Sequence, residues 1–464
     1  MGKKANILNL LDKFLKLSVI LIVLIFVLYP FISVFLKALY IDGKVNLREF
    51  KFIIEESYLL KNSIKSASIS ALISTIFALS IALFTLFISE KSKKIIMFIL
   101  LLTMVSPPFI GSLTYIQLFG RNGFITKQIL NLSINPYGIW GIVSVQTLGY
   151  TSLNSVLLIG YLKNLDKTII ESARSLKATT TSIITEIIIP IISPAIAVSF
   201  LLSFIRSMAD FSSPMIIGGS FNTLATEAYL SIIAKGNATR ASSISIILLI
   251  PSIIVFIIYR RFSKSQKSAS KNLKSSDIGL RKNGIYHIIK FLSLFFIIWL
   301  LIQYIAVFTS AITDKYKGEV YFTIDNIIDS IPYIKDSFLR SITYSLVAGI
   351  LASSIGFVIS YYSYIRDIKY MKIIDFIANM PYIVPGTFFG LGYIFAFNKG
   401  FIKLTATASI VILNLIFRQV PMSIRTIQNS MTQIEKRVIN SAKDLGAHNL
   451  YVFKDIIFPL SFEG

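Results

Sequence analysis

Of 464 residues, 54% are hydrophobic and only 15% charged, with a mean hydropathy of +0.72, far from the roughly half-apolar, quarter-charged mix of soluble domains. The net charge is +23, yet the Lys and Arg residues gather between long apolar runs instead of interleaving with aromatics along one face; that pattern argues against nucleic acid and fits the basic cytoplasmic loops of a membrane protein. Cysteine is absent and the two histidines, His287 and His448, lie far apart, so disulfides, thiolate chemistry and a histidine metal cluster are excluded.

Along the chain, Lys3, Lys4, Lys13 and Lys16 precede an apolar run from Leu17 to Leu36. It is too long for a signal-peptide core and ends without a small-x-small cleavage site, so it reads as a retained anchor. Further runs long enough to cross about 30 Å of hydrocarbon lie near 67–89, 95–118, 139–162, 189–207, 242–259, 288–311, 338–362, 373–397 and 404–423. With the first, near 17–40, they make ten. Lipid offers no partner to an unpaired amide, so each is expected to be helical, with Pro107, Pro108, Pro251 and Pro385 as kinks. Lys91, Lys93 and Lys94 after the second run, and Arg260, Arg261, Lys264 and Lys267 after the sixth, place the even-numbered spans' ends and the N-terminus in the cytoplasm. Residues 263–283, rich in Ser and Lys, read as a flexible linker.

The fold class expected is an all-α polytopic membrane protein of two tandem repeats of about six spans: a first repeat over 1–262, a basic linker over 263–287 and a second repeat over 288–464. The repeat is visible in residues. The segment from Glu171 through Ala173, Lys177 and Ala178 to Pro190 aligns without a gap on the segment from Asn440 through Ala442, Gly446 and Ala447 to Pro459. At this constant offset of 269, Ser172, Leu176, Ile187 and Ile188 also match Ser441, Leu445, Ile456 and Ile457. Ser106-Pro-Pro-Phe-Ile-Gly111 in the third span is echoed by Met380-Pro-Tyr-Ile-Val-Pro-Gly386 in the ninth.

These paired segments, within about 163–188 and 424–458, resemble the EAA loop of ATP-binding-cassette (ABC) importer permeases. In that family the loop is a helix, a turn and a second helix that docks on a nucleotide-binding subunit. Small Ala173 and Ala442 suit close approach to a partner, Gly446 permits a turn at positive φ, and Pro190 and Pro459 suit the first turn of a following helix. The sequence departs from the pattern where Lys177 stands for Gly and Asn440 for Glu.

After the first loop the chain reads Ala209-Asp210-Phe-Ser-Ser-Pro214, then Gly218-Gly219 and Phe221-Asn-Thr-Leu-Ala-Thr-Glu227, and in the second half Arg418-Gln-Val-Pro421. This resembles the fused, two-repeat permeases of ferric iron importers, with thiamine, polyamine and inorganic-anion permeases sharing much of it. Asp210, Glu227 and Arg418 are candidate pathway or outward-segment residues. Each also has a plain structural reading: Asp210 paired with Arg206 four residues earlier, Glu227 solvated, and Arg418 snorkelling from an interface.

No Walker A pattern occurs, so ATP hydrolysis is assigned to a partner. The resemblance implies a non-enzymatic permease without a cofactor of its own, working with two ABC ATPase subunits and an extracytoplasmic substrate-binding protein in a bacterial cytoplasmic membrane, in contact with lipid and not with nucleic acid. The first repeat follows its loop with two spans, whereas the second ends soon after Pro459, so two further spans are expected. An ion-coupled secondary transporter is the reading from another class; it calls for ionisable residues at span centres, and these are nearly free of them.

Overall fold

The computed structural model describes residues 2–41, 44–45, 47–163, 165–264, 282–316, 319–398 and 402–461. The first span combines α1 (Gly2–Val23), a π-turn (Leu24–Leu28) and α2 (Tyr29–Leu39). The wide turn lies just before Pro30, whose ring and missing N–H are incompatible with an ordinary α-turn there. A two-residue hairpin, β1 (Tyr40–Ile41) with β2 (Lys44–Val45), follows. The chain continues through α3 (Ser57–Phe84), α4 (Glu90–Val105), α5 (Pro108–Phe119), α6 (Ile139–Lys163), α7 (Lys167–Ser175) and α8 (Ile189–Ala209). Next come α9 (Ser212–Ile217), α10 (Leu224–Ile233), α11 (Ala238–Lys264) and α12 (Gly284–Ala311), then a hairpin of β3 (Thr313–Tyr316) and β4 (Glu319–Phe322). The remainder is α13 (Asp325–Ser360), α14 (Lys369–Ala378), α15 (Gly386–Asn398), α16 (Ala408–Met431), α17 (Lys436–Asp444) and α18 (Phe458–Ser461).

Among the described residues, eight helices are long and apolar enough to cross a membrane, or up to ten if each of two bent pairs is one span. The ten expected runs all fall on these elements. The third and ninth, however, are bent by 104° and 111°, so Pro107, Pro108 and Pro385 mark breaks and not kinks. A residue before proline is driven out of the α region, and Ser106 and Val384 are accordingly extended, at ψ 134° and 146°. Pro251 stays inside its helix. Residues 265–281 of the expected linker lie outside the described residues, and its ends are helical, with α11 running to Lys264 and α12 opening at Gly284 behind an Asn283 cap.

Two compact units form. One comprises Phe50–Asn237 and Ile247–Ser330, the other Met1–Glu49, Ala238–Ile246 and Ile331–Gly464. In the first, α3 is the central helix, packed by α6, α8 and α12. Its buried Ser63, Ser66, Ala67, Ser70, Ala71 and Ser74 recur at helical spacing, a small-residue face that admits close neighbours. Ser63 and Thr75 donate their hydroxyls to Leu59 and Ala71 carbonyls of their own helix at 2.8 and 2.7 Å, so their burial leaves no donor idle. In the second unit, α15 packs on α2, and α1 on α14. There Pro30 frees the Phe26 carbonyl, which accepts the Tyr393 hydroxyl at 2.8 Å. Gly392 sits so close that a methyl there would come within 2.7 Å of the Pro30 oxygen. Each unit thus incorporates a leading helix, α12 or α2, from the opposite half of the sequence.

Candidate functional site: two matched loops

The first loop opens with α7. Asp166 caps it by accepting the Thr168 N–H at 2.9 Å and hydroxyl at 2.7 Å, and those bonds hold its exposed carboxyl below the usual carboxylate range. The helix ends in a Schellman turn: Ala178 N–H donates to the Ala173 carbonyl at 3.0 Å and Lys177 N–H to that of Arg174 at 2.9 Å. Lys177 occupies the left-handed position at φ +59°. In the second loop α17 ends the same way, with Ala447 donating to Ala442 at 3.0 Å and Gly446 to Lys443 at 2.9 Å, and Gly446 at φ +82°. Lysine therefore adopts the turn for which glycine is the ordinary choice.

The second limbs match as well. Thr179 caps a helical turn by accepting Ser182 N–H at 3.2 Å, and His448 does so through Nδ1, accepting Leu450 N–H at 3.3 Å. Both limbs widen into π-turns, Ile183–Ile188 and Val452–Ile457, immediately before Pro190 and Pro459, for the reason given at Pro30. Each limb is tied by an asparagine of a leading helix. Asn283 donates to the Thr181 hydroxyl at 2.8 Å, and Asn9 Oδ1 lies 3.0 Å from His448 Nε2.

Burial sorts the predicted residues. Ile170 and Ile439 are buried and anchor the helices. Ala173, expected to face a partner, packs partly buried on its own unit's apolar core, because the helix needs a small side chain where it crosses that core. Glu171, Lys177, Pro190, Asn440, Gly446 and Pro459 are exposed, and Ala442 is partly buried. The most exposed apolar side chains of the two loops are ones the sequence did not single out. Leu176 and Leu445, at equivalent turn positions, are 84% and 89% exposed. Their match in sequence was visible; their exposure was not.

Asp210, Glu227 and Arg418 are not brought together. Asp210 accepts the Gln146 amide at 3.0 Å and the Ser212 N–H and hydroxyl at 2.9 Å, so it fixes the start of α9 rather than forming the expected ion pair with Arg206. Buried Gln146 completes this network by accepting the Ser70 and Ser207 hydroxyls at 2.8 and 2.6 Å. Glu227 is buried, not solvated, and pairs with Lys235 at 2.6 Å. Gly218 lets the turn before α10 close, since a methyl there would run into the Pro214 carbonyl oxygen. Arg418 is exposed on α16. Among the described residues no group of three or more His, Asp or Glu is placed to hold a metal ion.

Residues 72–268 match the family described as binding-protein-dependent transport system inner membrane component. The chain thus resembles the permease subunits of ABC importers. This likeness and the membrane-length apolar helices point to a multi-pass inner-membrane protein. It is 28% identical to the ferric transport system permease protein FbpB of Actinobacillus pleuropneumoniae over 97% of this chain and 68% of that protein. The putative ferric transport system permease protein FbpB 1 of Haemophilus influenzae is also 28% identical, over 97% and 74%. The spermidine/putrescine transport system permease protein PotB of Escherichia coli is 25% identical over 32% of this chain and 59% of its own.

Proposed function

We propose that this permease forms the translocation path of a ferric iron importer and that its two loops each receive one of two ABC ATPase subunits. Likeness along 97% of the chain to two ferric permeases, against 32% for the polyamine relative, supports iron as cargo. The shared turn geometry with its two exposed leucines supports the docking role: an apolar side chain held out at a rigid turn gains most by entering a partner's pocket. The basic loops favour a cytoplasmic N-terminus and loops on the ATPase side, with lipid around the spans. The chain needs no cofactor of its own in this scheme. ATP acts through the partner subunits, whose closure draws the loops together and reorients the helices between outward- and inward-open states, while an extracytoplasmic binding protein delivers the cargo. Glu171, Ala173, Lys177 and Pro190, with Asn440, Ala442, Gly446 and Pro459, are in this reading the frame that holds Leu176 and Leu445 in place.

The test is co-reconstitution with the candidate ATPase and binding protein, following ATP-dependent uptake of radiolabelled Fe(III), thiamine and spermidine. Leu176→Arg with Leu445→Arg is the uncoupled form, chosen over substitutions at Ala173 because the leucines carry no core packing. Iron uptake that is lost in the double variant supports both parts. Uptake of spermidine or thiamine alone replaces the cargo, and uptake indifferent to ATP and to the leucines removes the docking role.

A further inference from the structure

Pro107 and Pro108 bring no N–H to the break between α4 and α5, so the Thr103 and Met104 carbonyls lose the donors that an unbroken helix would give them. A cavity of about 80 Å³ opens at this break, lined among others by Thr103, Ser106 and Pro107, by Thr114 of α5, Gly149 of α6 and Gln303 of α12. No charged residue is among its described lining. Thr103 and Thr114 donate their hydroxyl protons to the Leu100 and Ile110 carbonyls of their own helices, at 2.7 and 2.8 Å, so their unused capacity is to accept. Across from them Gln303 is only 6% exposed, and its Nε2 has no hydrogen-bond partner among the described residues. The other repeat fills the corresponding place itself. α6 opens at Ile139 and α16 at Ala408, the same offset of 269 as the loops, and that offset sets Gly149 against Arg418. The Arg418 guanidinium packs on Gly386, where α15 opens after Pro385, whereas a methyl added at Gly149 meets nothing within 4 Å.

We infer that this cavity is a water-binding site held by Gln303 and the Thr103 carbonyl, which makes the break between α4 and α5 a solvated joint where the break before α15 is a filled one. A cavity with polar groups on its wall takes up water, whereas an apolar one of the same size stays dry. At about 30 Å³ per molecule this one accommodates about two or three. Water accepts from the amide and donates to the carbonyl, satisfying both groups at once. An ion is disfavoured, because no opposite charge lines the site to offset the loss of its hydration. Bound water also lets α5 change its angle to α4 without stranding the freed carbonyls, since a water-mediated bond re-forms at little cost.

The test is hydroxyl-radical footprinting by X-ray radiolysis of the purified full chain in lipid nanodiscs, read by mass spectrometry. Radiolysis turns water into radicals that oxidise the side chains beside it, buried or not. Leu300 lines the cavity at 2% exposure, and Leu158 is fully buried in apolar packing. Leu300 is expected to be oxidised about tenfold faster than Leu158 if the cavity is wet. In Gln303→Leu that rate should fall at least severalfold while the rate at exposed Leu113 stays the same. Gly149→Leu, which fills the space from α6, should lower the Leu300 rate likewise and keeps the test open if Gln303→Leu folds poorly. A Leu300 rate no higher than that of Leu158 means a dry cavity and overturns the inference. So does a rate indifferent to both substitutions, which would mean bulk solvent in an open groove. Oxidation of Leu300 in detergent but not in nanodiscs would show that a lipid chain occupies the cavity, and overturns it as well.

Discussion

Lys177 and Gly446 hold the same left-handed turn, at φ +59° and +82°, closed by the same pair of backbone hydrogen bonds. A side chain in that region costs about 1–2 kcal/mol relative to the right-handed one. Lys177→Gly is therefore expected to raise the unfolding midpoint and Gly446→Ala to lower it, each corresponding to about 1 kcal/mol. Thermal melts of the detergent-solubilised protein read both; equal midpoints would show that neither turn is strained.

A second prediction concerns the N-terminal helix. Asp12, with a side chain 9% exposed, receives Arg366 at 2.8 Å, Lys16 at 3.0 Å and the Tyr362 hydroxyl at 2.8 Å. Removing one partner of a buried ion pair strands the other, at a cost of about 3–5 kcal/mol. Asp12→Ala should lose that much in denaturant titration, and the double variant Asp12→Ala, Arg366→Met should recover part of it. A double variant no better than Asp12→Ala would mean that the pair is not coupled.

The Gln146 network gives a third. Gln146→Leu leaves Asp210, Ser70 and Ser207 each short of a partner, and a stranded buried polar group costs about 1–3 kcal/mol. Ser70→Ala removes one of those bonds and should cost less. If the two variants unfold alike, Asp210 does not depend on Gln146.

Close packing in the other unit supplies a fourth. The methyl of Gly392→Ala would meet the Pro30 carbonyl, and overpacking of this kind costs about 1–3 kcal/mol. The same substitution at Gly390, where nothing lies within 4 Å of the added methyl, is the control. A Gly392→Ala melt as high as the control's would show that α2 can shift to make room.

The positions of the apolar runs and the existence of two equivalent loops were legible in the chain itself. Span length is dictated by bilayer thickness, and the loops announced themselves through a gapless match. Lys177 looked like a flaw in its motif because a side chain disfavours positive φ; the hydrogen bonds around it impose the turn regardless. Asp210 and Glu227 looked like pathway carboxylates because their partners, Gln146 and Lys235, are 64 and 8 residues away, and only the first of those separations is beyond any local pattern.

By itself the sequence determined that this is a helical membrane protein with a doubled loop motif, because hydrophobicity, proline position and residue identity act locally along the chain. Only the tertiary structure decided that Pro107 and Pro385 break their helices, that α12 and α2 join the units of the opposite halves, and which of two matched residues point outward. Those outcomes depend on which small-residue faces meet. Hydropathy measures how readily a helix enters lipid, and it carries no term for the neighbour chosen there.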